Sequence, residues 1–151
     1  FVDAFQFYFY QELKNSKDQL LADFAVKSLK EVAYHLKHSS DWMLRLGDGT
    51  EESHQKVQQA VEDVWMYTGE MFMMDEVDST LLAEGIAVDL DKVKVLWIGK
   101  VKAVLTEATL DMPDFDAWMM SGGKQGKHSE HLGFLLTELQ YMQRAYPNME
   151  W

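Results

Sequence analysis

From Asp18 to Leu46 the chain runs without a glycine or a proline, and that uninterrupted stretch constrains the fold more than any other feature. Those two residues are the strongest local punctuators of the backbone, so their absence lets a helix propagate. One stripe at three- and four-residue steps reads Leu21, Ala25, Ser28, Val32, His35, Ser39, Trp42 and Leu46, as one face of a long helix should. The stretch ends at Gly47-Asp48-Gly49, where a glycine in the left-handed conformation is the expected stop.

The remaining segments follow the same helical period, and none alternates with a period of two. The first helix runs to about Lys14, with Ser16 or Asp18 as cap of the second. Thr50 caps a third, whose buried face is Val57, Val61, Val64, Trp65, Thr68 and Phe72, with Glu51 and Glu52 against its positive end. A short fourth covers Asp75 to Glu84 and stops at Gly85. Asp89 or Asp91 opens a fifth, with Trp97, Val101, Val104, Leu105 and Ala108 inward. Asp111 to Lys127 reads as a long loop, and the last helix starts near His128 and carries Leu132, Leu135, Leu136, Leu139 and Met142. The fold class is all-α, built from long antiparallel helices. At 151 residues the chain fits a single domain over 1–151.

Composition removes several function classes. There is no cysteine, which excludes disulfides, thiolate metal sites and a cysteine nucleophile and fits a reducing compartment; the cytoplasm is the expected location. Lys+Arg number 14 against 25 Asp+Glu, a net charge of −11, the wrong sign for a nucleic-acid binder. The opening FVDAFQFYFYQEL is apolar on nearly every side and is expected to be buried all round. It is shorter than the ~20 residues that cross a bilayer and has no basic leader, so a membrane role is not expected. Phe1 reads as lying inside a helix of a longer parent protein.

Three constellations carry candidate chemistry. In α-helical di-iron proteins a Glu-x-x-His pair shares one helix face, because three residues turn a helix by about 300°. Here the residue three before His35 is Val32, which cannot bind metal, while Glu31 stands four before it. The favoured reading is an interior histidine hydrogen-bonded to a carboxylate; a shifted Glu31–His35 ligand pair is the alternative. His128 and His131 with Glu130 form a second group, with Glu107 as a conceivable further donor, and polar packing at a helix entrance accounts for it equally. Gly122-Gly123-Lys124-Gln125-Gly126-Lys127-His128 only superficially resembles a phosphate loop: Ser121 replaces its first glycine and His128 its Ser/Thr. Lys124 and Lys127 on a glycine-rich turn still suit an anion, either a ligand phosphate or a partner's carboxylate, and a basic turn with no client is the rival reading. Two apolar clusters, Met71-Phe72-Met73-Met74 and Trp118-Met119-Met120, are expected to fill gaps or to touch other subunits.

The runs HSSDWMLRLGDGTEESHQKVQQAVEDVW, GIAVD, TEATLDMP and SGGKQGKHSEHLGFLLTELQYMQRAYP, with FVDAF and KEVAYHLKHSSDW before them, resemble the C subunits of multicomponent phenylacetyl-CoA epoxidases. The resemblance covers the whole chain and is most specific from Ser121 to Pro147. The family is longer, so the chain is expected to lack its N-terminal helices. The resemblance implies a ferritin-like helical bundle. It also implies a catalytic A subunit that carries the di-iron centre and epoxidises the aromatic ring of phenylacetyl-CoA, while the C subunit is its non-catalytic support. Where the A subunit has Glu-x-x-His this chain has Val32-x-x-His35, and Asp3 stands where the A subunit has a carboxylate.

On that resemblance no catalytic residue, metal or cofactor is expected here, and Asp3, Val32 and His35 mark a degenerate site. Surviving polar groups would satisfy one another, since an unpaired buried group costs ~1–3 kcal/mol, so His35 is expected to hydrogen-bond Asp3 or Glu31. Lys124, Lys127 and His128 are the expected contact with the A subunit's carboxylates or with the CoA phosphates of its substrate. The alternative is a self-contained di-iron or di-manganese oxidase using Glu31, His35, Glu107, Glu130 and His131.

Overall fold

The structure, a computed structural model, describes residues 1–150, and among them helices alternate with turns and no strand occurs. The chain divides into two compact units, residues 1–120 and 121–151.

In the first unit, α1 (Val2–Leu13), α2 (Gln19–Gly47), α3 (Glu51–Trp65), α4 (Glu76–Glu84) and α5 (Leu90–Glu107) follow one another. α1 lies along α2 and α5, and α2 also packs on α3 and α5. The short 14–18 connection between helices that pack along their length makes α1 and α2 an antiparallel hairpin. The caps decide the boundaries. Asp18 accepts hydrogen bonds from the N–H groups of Leu20 and Leu21 at 2.9 and 3.1 Å, satisfying donors that have no partner inside the helix. Ser16, the other candidate, instead accepts from the Asp18 N–H and donates to the Ile86 carbonyl at 2.7 Å, tying the α1–α2 turn to the segment after α4. Thr50 caps α3, Asp89 caps α5, and Asp75 forms a reciprocal capping box with Asp78.

Four expectations change. Gly47-Asp48-Gly49 does end α2, but by neither glycine turning left-handed: positive φ occurs instead at Gly85, which closes α4 at +79°, and at Thr109, Gly122, Gly126 and Asn148. α3 stops at Trp65, short of Phe72, because the backbone tightens into turns and a 3₁₀ segment, Gly69–Phe72, that still delivers Phe72 to the core. α1 is only half-buried, with Ala4 and Leu13 its buried residues and Val2 at 57% exposure. Finally, the inward line of α2 is Ala22, Ala25, Val32, Leu36, Met43 and Gly47, so His35, Trp42 and Leu46 face out. Two stripes share Ala25 and Val32 and diverge after them; close approach to α1 and α5 selects the line with the smaller residues.

The core is aromatic. Trp65 and Trp97 stack at 5.7 Å between ring centroids, while Phe72 meets Trp97 edge-on at 5.1 Å and Phe115 meets Trp65 edge-on at 5.0 Å. Phe1 bridges both tryptophans at 5.6 and 5.8 Å. Both indole N–H groups are satisfied, Trp97 donating to the Phe1 carbonyl and Trp65 to that of Asp114, each at 2.9 Å. Truncating Trp97 would cost roughly 3–5 kcal/mol. The segment after α5 is irregular, as expected of the loop, yet pinned: Asp111 N–H donates to Gln58 Oε1 at 2.9 Å and Met120 N–H to the Met66 carbonyl at 2.8 Å. Met71, Met74 and Met119 pack against the core, so these methionines fill gaps.

The second unit holds a 3₁₀ turn, Gly123–Gln125, and two short helices, α6 (His131–Leu139) and α7 (Tyr141–Ala145). The single last helix expected from His128 is thus shorter and interrupted: no side chain caps α6, and Gln140 leaves the helical conformation at φ −100°, ψ 0°. Among the described residues of this unit only Gly122 is buried.

Candidate functional site

Position 32 of α2 stands three residues before His35, where a Glu-x-x-His pair would put its carboxylate. Val32 is buried at 6% exposure in the seam of α2. His35, three residues on, lies about 60° around the helix and outside that seam. It pairs with Glu31 at 3.9 Å, beyond hydrogen-bond length, with side-chain exposures of 46% and 78%. Asp3 is half-buried on α1 and makes no ion pair with His35. The expected hydrogen bond from His35 to Asp3 or Glu31 is therefore absent among the described residues, and the imidazole is exposed.

The other candidate ligands fall in different units. Glu107 is exposed at the last position of α5, and Glu130 and His131 are exposed at the start of α6 in the other unit. A ferritin-like di-iron centre takes four carboxylates and two histidines from four helices. Among the described residues no three His, Asp or Glu side chains lie close enough to hold a metal ion. The donor set present does not fit the group.

An open cavity of about 380 Å³ lies between α1, α2, α3 and α5. Ala4, Leu36, Met43, Val61, Val104 and Leu105 make it apolar, while Ser39, Ser40 and Lys100 supply its polar members.

A surface that the periodicity contains, though no motif flags it, runs along the outside of α2. Tyr34 stacks on His38 at 6.0 Å, His38 meets Trp42 edge-on at 6.4 Å, and the Arg45 guanidinium sits 5.6 Å from the Trp42 ring. Spacing of four, four and three residues is the signal in the sequence. On the same helix Lys37 binds the Asp41 carboxylate and, through that hydrogen bond above all, holds its pKa below the usual range.

The glycine-lysine loop folds back on itself. Gln125 and Lys127 N–H groups both donate to the Gly122 carbonyl, at 3.0 and 2.9 Å, and Gly126 N–H to that of Gly123 at 3.0 Å. Gly122 and Gly126 adopt φ of +112° and +79°, which this tight reversal requires. The Lys124, Lys127 and His128 side chains of this loop are exposed. No helix among the described residues is long and apolar enough to cross a membrane.

The chain is 44% identical over 151 residues to the C subunit of the 1,2-phenylacetyl-CoA epoxidase of Escherichia coli (strain K12). That match takes in all of this chain and 60% of the relative, so the chain spans about three fifths of the length of the curated relative it matches. A family model described as phenylacetic acid catabolic protein covers residues 1–151 from end to end. An all-helical chain whose every residue falls inside that match, and whose resemblance to epoxidase C subunits is carried along its full length by a curated relative, belongs to the phenylacetic acid catabolic protein family.

Proposed function

We propose that this chain supports the catalytic subunit of a phenylacetyl-CoA epoxidase and holds no iron itself. The observation that carries the reading is Val32, an aliphatic side chain buried where a bridging carboxylate would be needed. A metal-binding variant of this helix would have to bury a charge there, and an isolated buried carboxylate is strongly disfavoured without metal or a cationic partner. The exposure of His35 supports the same conclusion.

On this reading the di-iron centre and the epoxidation chemistry reside in the partner, and this chain fixes the partner's helices in place. Lys124, Lys127 and His128 contact carboxylates of that subunit or the phosphates of its CoA thioester. The setting is the cytoplasm, which the absence of cysteine supports. The test is to co-purify the two proteins, separate them and measure the metal content of each. Iron at background in this chain and stoichiometric in the partner is the expected result. Two irons or manganese ions per copy of this chain would replace the proposal with a self-contained oxidase.

A further inference from the structure

We draw no further inference here: the strongest candidate, the open apolar cavity between α1, α2, α3 and α5 with Ser39, Ser40 and Lys100 in its lining, carries nothing, because nothing in the structure shows what covers it.

Discussion

Gly47 and Ala108 touch where the C-terminal ends of α2 and α5 meet, so closely that a Cβ on Gly47 would collide with the Ala108 carbonyl oxygen and lie 2.9 Å from its Cβ. The same Gly47 carbonyl receives His54 Nδ1 at 2.7 Å and Thr109 Oγ1 at 3.3 Å. Thr109 holds φ at +60° beside it, an uncommon conformation for a β-branched residue. Backbone of three segments is thus locked at one point. Gly47→Ala is expected to destabilise the protein by about 1–3 kcal/mol, since the obstructing atoms are backbone and cannot swing aside. Gly99→Ala, within α5 and with nothing inside 4 Å of its would-be Cβ, is expected to stabilise by about 0.5–1 kcal/mol. Urea unfolding of both variants checks the contrast; shifts of the same sign would refute it.

Val32→Glu tests the degenerate slot directly. The new carboxylate would enter a seam where the wild-type side chain is 6% exposed, and burial would raise its pKa. A loss of roughly 2–4 kcal/mol at neutral pH is expected. With the folded pKa raised, the unfolded state ionises first as pH rises, so the penalty shrinks toward pH ~4 and grows above it. Iron content should stay at background, because one carboxylate does not create the remaining ligands. Stoichiometric iron uptake by this variant would show that the seam is a site lacking one residue.

Much of this fold is legible residue by residue. Asp18, Thr50, Asp75, Asp89 and Gly85 mark helix ends because capping is a local matter of one side chain and two or three backbone groups. The phase of α2 is not legible. Both candidate stripes contain Ala25 and Val32, and only packing against α1 and α5 favours Leu36 and Met43 over His35 and Trp42. That one ambiguity places His35 in the interior when the sequence is read alone. The stop at Gly47 follows from the sequence, but for a different reason than a left-handed turn. A glycine signals either a turn or a close approach, and Ala108, far along the chain, decides which. The proposed loss of a metal ligand rests on Val32 alone, since an aliphatic side chain cannot coordinate whatever its surroundings.

Lys124→Glu/Lys127→Glu tests the proposed polar contact of the glycine-lysine loop. Both lysines are exposed, and Lys127 lays its stem across Gly122. Against the carboxylates proposed for the partner the variant is expected to bind about tenfold more weakly at low ionic strength, with the deficit narrowing as salt screens the charges. Binding measured at two salt concentrations checks this. An unchanged affinity at both would remove the lysines from the contact.

Tyr8 contributes an alkaline pH dependence to the first unit. It packs against the core from α1, 5.3 Å from the Phe7 ring, and burial raises its phenol pKa above the usual value near 10. The sign follows from which state releases the proton first. Below the unfolded pKa both states keep it, and the stabilisation that accompanies a neutral buried phenol is fully present. As pH climbs from the unfolded toward the folded pKa, the unfolded chain ionises while the folded one resists, and stability falls. Wild-type protein should therefore lose stability through this alkaline window more steeply than Tyr8→Phe, which has no proton to lose there. Denaturant unfolding at intervals from neutral pH into that window gives the two slopes, and coincident slopes would show that Tyr8 titrates as an exposed phenol does.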